Sequence, residues 1–508
     1  LVDNPQLEDY ALRYVPKSFR KWSEFTVATA ALGSIAYLAD FAIGGSLAIS
    51  YGFSSAIMGI IMGFAIMILM SIPIVYYASK YHIDMDLLTR GSGFGYLGST
   101  ITSLIYAANT FIFFALEGSI MAQGLSLYFG INIHISYVIV ALVIIPLVIY
   151  GMSLLSKLQL YTQPLWLLLL LLPLFAILIY DPTSLHTWFS FGGEVNSPSF
   201  NPFHAALAAG VVLAIIPSIG ENVDYLRFMP DQNGKNNKKW ILAILLAGPG
   251  WLIISLFKET YGTFLVSNIA SKVGYTQANE PIYQFLYGYH YLLGAGFIAL
   301  TIVTIFVIIS QIKINVTNAY SGSLSWSNFF SRTLHKHPGR VVWLILNVLI
   351  GLTLMELGVF SELDFILGFY ANVEISWIGA IVSDLVINKK ILKISPSIIE
   401  FKRGYLYNFN PVGFGSMIIA SIISIIAFFG FLGSIAQAFS SFIALAISFI
   451  LPPIIAILTK GKYYIARKPS LRLSNEELIQ CTVCGYKYEA PDILDCPYHK
   501  GPICSLCC

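Results

Sequence analysis

Two stretches decide the reading: Ala39-Asp40-Phe41-Ala42-Ile43-Gly44-Gly45 and Ile216-Pro217-Ser218-Ile219-Gly220-Glu221-Asn222. Each lies inside an apolar run long enough to cross a bilayer, which takes about 20 residues. Each carries a carboxylate and glycine, which loosens a helix; the second adds a proline, which removes an amide donor. Irregular backbone at membrane depth is tolerated only around a protein-lined cavity. The breaks fall in the first and sixth of twelve apolar segments. A shift of five is what two inverted five-helix repeats give, with a site at the midplane between them. One break alone is equally well explained by the commonness of glycine and proline in membrane helices; the matched pair favours the repeat. The repeat shows in this punctuation, not in the letters themselves.

Working outward, the twelve segments run at about 25–50, 54–79, 99–128, 133–152, 158–180, 203–228, 240–265, 290–325, 340–358, 362–387, 413–432 and 436–458. The 508 residues are 57% hydrophobic and 11% charged, with a mean hydropathy of +0.75. A soluble domain carries roughly a quarter charged residues, so an ordinary cytosolic enzyme, a disordered chain and a nucleic-acid binder are excluded. No cleavable signal peptide is visible. With the N-terminus inside, all but three of the 29 Lys and Arg residues fall in inner segments, Lys235, Lys336 and Arg472 among them; the exceptions are Lys258, Lys272 and Lys313. Residues 181–202, an outer loop, hold no Lys or Arg. The positive-inside rule therefore predicts an inner (cell) membrane protein with both termini cytoplasmic. The expected fold is all-α, two inverted five-helix repeats plus two extra helices. It divides into a cytoplasmic segment 1–24, a membrane domain 25–458, a basic linker 459–480 and a cysteine-rich tail 481–508.

Charges at membrane depth cost about 2.5–3.5 kcal/mol on insertion scales and are functional candidates by default. Asp40 and Glu221 sit at the two breaks, Glu117 in the third segment, Lys313 in the eighth and Glu374 in the tenth. For Glu374 a structural partner inside the bundle explains the residue equally well. Asp224 and Arg227 read as an interfacial pair. Asn109, Phe113 and Glu117 recur every four residues and share one helix face. An aromatic plate flanked by an amide and a carboxylate suits a flat, polar ligand, because rings stack and amides and carboxylates read donors and acceptors. Ordinary helix packing, with Phe113 as filler, is the competing reading. The run from Gln311 to Ser323, with Asn315 and Asn318, is too polar for a lipid-facing helix and suits close packing and ligand contact.

At these residues the chain resembles the nucleobase–cation symporter family, which includes cytosine, hydantoin and allantoin permeases. The anchors are Gly44-Gly45-Ser46-Leu47, Asp224-Tyr225-Leu226-Arg227-Phe228, Asn315 through Leu324, and Asn410-Pro411-Val412-Gly413, spread over residues 10–460. Gln311 to Asn315, Ser327 to Arg332 and the cysteine-rich ending are similar to members whose permease module continues into a cytoplasmic signalling domain, often a histidine kinase. The resemblance implies a ligand between the first, third, sixth and eighth segments. It carries substrate-binding roles to Phe41, Asn109, Phe113, Glu117, Ser218, Gly220, Glu221, Asn315 and Asn318. Sodium-coupled relatives hold the ion with carbonyls of the first segment and hydroxyls of the eighth. Here Lys313 and Ile314 stand where those hydroxyls belong. An ammonium group donates and cannot ligate sodium, so the expectation is an Asp40–Lys313 pair replacing the ion, and no sodium coupling.

All six cysteines lie in the last 28 residues: Cys481-x2-Cys484, Cys496-x2-His499 and Cys504-x2-Cys507-Cys508. A cytoplasmic location disfavours disulfides. Two CxxC pairs 19 residues apart read as a thiolate zinc site, with Cys481, Cys484, Cys504 and Cys507 as first candidates. Cys496 and His499 could replace one pair or begin a second site. An iron–sulfur cluster and free or redox thiols are the alternatives. The chain opens on Leu1 and ends on Cys508, which reads as part of a longer protein. No catalytic signature occurs, so no enzyme activity is expected within these residues. Two functions remain. One is a sensory module that binds or transports a nucleobase-like nitrogenous small molecule for a signalling effector. The other is an ordinary cation-coupled symporter. Lipid and a small heterocycle are the expected partners; nucleic acid is not.

Overall fold

The structure, a computed structural model, describes residues 12–149, 152–232, 234, 237–334, 338–468 and 478–508. Lys235, Lys336 and Arg472 of the charge pattern lie outside these residues, as do 1–11 of the N-terminal segment and 469–477 of the linker. Each of the twelve apolar segments is helical. Among the described residues nine helices are long and apolar enough to cross a membrane, and ten when the bent pair Glu24–Ala36 and Ala39–Tyr51 is one span. The fourth and ninth segments, Ile133–Ile149 and Arg340–Glu356, are helices of 17 residues each, shorter than the expected crossings.

Both expected breaks exist, but not on the glycines. The first segment bends by 47° between Ala36 and Ala39, and Asp40 to Gly45 belong to the helix Ala39–Tyr51. The sixth segment is interrupted at 214–217, between Pro202–Leu213 and Ser218–Leu226. The glycines serve close packing instead. A Cβ on Gly44 would lie 2.0 Å from the Glu259 carbonyl oxygen, and one on Gly220 2.7 Å from the Tyr106 ring.

Three helix pairings share one regularity. Ala39–Tyr51 of the first segment packs on Pro249–Val273 of the seventh, and Pro202–Leu213 of the sixth packs on Phe53–Tyr81 of the second. The third, Gly98–Phe129, lies along the eighth, Phe297–Leu334. A shift of five converts the first pairing into the second and maps the third pairing onto itself. One apolar core runs through both halves and includes Phe41, Phe113 and Ile314. The tenth segment, Leu363–Ser383, packs on the eleventh and twelfth, Ser416–Phe428 and Ser440–Leu458.

Residues 478–508 form a small module of two antiparallel ribbons, Ile479–Gln480 with Lys487–Tyr488 and Ile493–Cys496 with Gly501–Cys504. It is fixed to the membrane domain from two sides. Arg13 pairs with Asp492 at 2.8 Å, the Tyr14 hydroxyl donates to Glu489, and the Lys17 amide donates to Glu489 at 2.9 Å. Tyr405, in the loop after the tenth segment, packs into the module's core with Tyr488, Ile493 and Ile503.

Candidate functional site

Breaking a helix orphans carbonyls on one side and amides on the other. In the first segment both sets are answered by charges from neighbouring helices. Lys258 of the seventh segment donates from Nζ to the Ile35 carbonyl at 2.6 Å and the Tyr37 carbonyl at 2.8 Å. The same ammonium pairs with Asp40 at 2.9 Å and lies 3.6 Å from the Tyr37 ring centroid. On the other side, Glu117 accepts from the Leu38 and Ala39 amides at 3.2 Å each, and from Gln311 Nε2 at 2.6 Å. A cation meets the carbonyl end and an anion the amide end, as the peptide dipoles favour. Lys258, Asp40 and Glu117 are all completely buried.

The expected Asp40–Lys313 pair does not form. Lys313 turns to the fifth segment, Met152–Tyr180, donating to the Gln159 carbonyl at 3.0 Å and Thr162 Oγ1 at 2.9 Å, while Gln159 Nε2 donates back to the Lys313 carbonyl at 2.7 Å. Lys258 is the lysine that reaches the break. The sequence marks Lys258 only as an exception to the charge pattern; it and Glu259 sit in the middle of the helix Pro249–Val273. The Glu259 carboxylate is buried without a hydrogen-bond partner among the described residues.

The sequence-derived ligand residues are all buried. Asn109 donates to Glu374 at 2.9 Å, so the top of the third-segment stripe faces the tenth segment and its base, Glu117, the first and eighth. Phe113 lies between them in the core. Phe41 is held edge-on by Tyr261 and Phe285, with centroids 5.3 and 4.9 Å away. Glu221 lies within electrostatic reach of Glu117 and Asp224, and Ser218 and Gly220 precede it on the same half-helix. Asn318 donates to Asn315 Oδ1 at 3.2 Å. Asp224 and Arg227 are both buried and in contact: Arg227 Nε donates to the Asp224 carbonyl at 3.2 Å, Asp224 accepts from Ser321 at 2.6 Å, and Arg227 meets Tyr320 at 3.2 Å and Asp84 at 3.9 Å.

Several polar atoms in this region have no partner among the described residues: both side-chain polar atoms of Asn222, Asn109 Oδ1, Asn315 Nδ2 and Asn318 Oδ1. An unsatisfied buried polar group costs about 1–3 kcal/mol. The third, sixth and eighth segments each contribute at least one.

The sequence matches the profile of permeases for cytosine/purines, uracil, thiamine and allantoin over residues 14–449. The chain belongs to this permease family. The permease fold is similar to that of Mhp1, a nucleobase–cation-symport-1 transporter solved in a closed conformation with bromovinylhydantoin bound (18% identity, 91% of this chain and 100% of that chain, TM-score 0.67). A Na+-coupled sialic acid symporter (13% identity, 87% and 91%, TM-score 0.58) and a manganese transporter of Eremococcus coleocola (15% identity, 88% and 97%, TM-score 0.53) share the architecture. No curated protein matches the sequence. The permease family is a transporter family, and the helical membrane fold is similar to that of Mhp1.

Outside the permease body, Cys481, Cys484, Cys504 and Cys507 bring their sulfurs within 4.8 Å of one another. A tetrahedron with metal–sulfur bonds of about 2.3 Å sets its corners about 3.8 Å apart, and Cys484 and Cys504 are 4.0 Å apart. By this spacing the four fit a metal. Against burial, the amides of Cys484, Cys504 and Val483 lower the Cys481 thiol, while burial pushes Cys504 up to about 11 and raises Cys507 as well. Cys496 and His499 contact each other at 3.3 Å, apart from this group.

Proposed function

We propose that this permease binds a planar, nitrogen-rich heterocycle between the broken first and sixth segments and the third and eighth, and carries it across the membrane. The observation that carries this reading is the set of unsatisfied amide groups on Asn109, Asn222, Asn315 and Asn318 beside two helix breaks. A flat ligand with alternating donors and acceptors would satisfy them, and Phe113 offers a ring face. Glu117, Glu221, Ser218, Gly220 and Phe41 shape the same volume in this reading. The substrates named for the matching family, cytosine/purines, uracil, thiamine and allantoin, and the hydantoin bound by Mhp1 all contain a nitrogen heterocycle. Asp40 and Lys258 form a fixed, internal ion pair at the unwound carbonyls, where half-helix ends in transporters coordinate a coupling cation. We infer that binding does not require sodium. The work of the site is recognition and movement, with no bond made or broken.

In the same proposal all twelve segments cross the cell membrane, the two 17-residue helices included, and both termini are cytoplasmic, as the Lys and Arg distribution requires. The domain limits are 25–458 for the membrane body and 481–508 for the tail. Zinc held by Cys481, Cys484, Cys504 and Cys507 would give the tail its fold. A sensory role is favoured by one observation. The tail is clasped to Arg13, Tyr14 and Lys17, just ahead of the broken first segment, so a tilt of that segment would reach the tail and any effector domain attached to it.

The test is a thermal-shift screen of the purified chain against purines, pyrimidines, hydantoins and allantoin, each in sodium and in potassium. A stabilising heterocycle of equal potency in both salts is expected. Stabilisation only in sodium overturns the fixed-pair reading and restores a sodium symporter. No stabilisation by any of them overturns the ligand class.

A further inference from the structure

On the face where the module docks, a cavity of about 220 Å³ opens between the membrane domain and the tail, lined by Arg90, Tyr96, Arg332, Lys402, Arg403 and Ser505 among others. Four of its lining residues are cationic. Among the described residues no aspartate or glutamate lines it. Two of the cations are already committed. Arg332 pairs with Asp86 at 3.2 Å and donates to the Tyr96 carbonyl, and Lys402 lies 3.8 Å from Glu400. Of the other two, Arg90 donates to the Phe401 carbonyl at 3.0 Å and to Asn328 Oδ1 at 3.4 Å, which hold it in the wall. Arg90 and Arg403 each lie over the Tyr96 ring, at 5.1 and 5.0 Å from its centroid. Neither has a carboxylate partner among the described residues. The Arg403 side chain is exposed and makes no hydrogen bond or ion pair to any of them, while Arg90 is 5% exposed and its Nε is unpartnered. Burial first, and then the charge of Arg332, bring the Arg90 guanidinium down to about 10.

Guanidinium forks match phosphate geometry and bind it in two-pronged fashion. We propose that this cavity is a phosphoryl-binding site, in which Arg403 and Arg90 hold the oxygens and Tyr96 fixes the two forks. A soluble phosphate monoester and the headgroup of an anionic phospholipid share this chemistry. Because the walls come from both the membrane domain and the tail, an occupant would tie the two together.

The experiment uses the purified full chain, with inorganic phosphate and glycerol 3-phosphate as soluble probes and nanodiscs of phosphatidylglycerol or phosphatidylcholine as the lipid arm. Binding is read by calorimetry and thermal shift, with chloride at matched ionic strength as the control. Saturable binding in at least one arm is expected. Arg403→Ala, at an exposed position, weakens it at least tenfold, and Arg90→Lys, which keeps the charge but removes the fork, weakens it as well. Lys462→Ala, which removes a positive charge outside the cavity, leaves it within twofold. Binding of the soluble probes assigns a free phosphate; an Arg403-dependent gain in phosphatidylglycerol alone assigns the headgroup. An equal effect from chloride, or no dependence on Arg403 in either arm, overturns the site.

Discussion

Asp40 and Lys258 illustrate how a charge survives at membrane depth. Both are completely buried; they pair with each other, and Lys258 also donates to the Ile35 and Tyr37 carbonyls. Removing one member of such a pair leaves an uncompensated buried charge, at a cost of about 3–5 kcal/mol. Lys258→Met should therefore lower the melting temperature of the purified protein sharply, and Asp40→Leu in the same chain should restore much of the loss. If Lys258→Met alone melts like the parent, the pair is not what holds this break. The sequence made Asp40 conspicuous but not its partner. Lys258 and Lys313 are both lysines inside apolar runs, and nothing in their spacing says which one the fold brings to residue 40. Lys313 answers to the carbonyl of Gln159, a contact 154 residues away in the chain with no local signature. The orphaned amides of Asn315 and Asn318 were more legible, because a polar run within an apolar helix is visible in one dimension.

Among elements, the first segment is the most dependent on its neighbours. Its second half-helix has no capping side chain of its own, and Glu117 on the third segment supplies the acceptor. Hydrogen bonds to charged groups contribute about 1.5–3 kcal/mol. Glu117→Ala should cost about that much in thermal stability and should also weaken heterocycle binding, since the cap fixes the break; unchanged binding would separate the cap from the site. The contact between the first and seventh segments is equally specific. Gly44 faces the Glu259 carbonyl, and Gly262 faces Phe41, where a Cβ would lie 2.5 Å from the carbonyl oxygen. Overpacking of this kind costs about 1–3 kcal/mol, so Gly44→Ala and Gly262→Ala should each lower the melting temperature, and a neutral outcome would mean that these helices can part. The sequence marked both breaks by number but placed them on the glycines. The chain unwinds just ahead of them, at 34–38, because the glycines are needed inside the helix, where another backbone passes.

The whole molecule is a permease body with a second, smaller folding unit clamped to one face. A 31-residue unit of short ribbons has little core, and structural zinc contributes about 10–16 kcal/mol in comparable peptides. The purified chain should carry one zinc per molecule, and its removal by a chelator should raise amide exchange throughout 478–508 while leaving the helices protected. Protection that survives chelation would argue against a metal. The cysteine cluster was legible in the sequence, since its spacing is local; the attachment of the unit was not, because the clasp joins residues far apart in the chain. Tyr14 and Glu489 are 475 positions apart. At roughly 5–20 residues per second of synthesis, the stretch containing Tyr14 leaves the ribosome about 25–95 s before its partner exists. Throughout that interval the helices must insert and pair without the clasp, and it can close only after the last segments are in place. A proteolytic site engineered between Arg13 and Lys17 would thus be cut in chains that stop short of Glu489 and protected in longer ones, making the clasp a timer of membrane-helix synthesis.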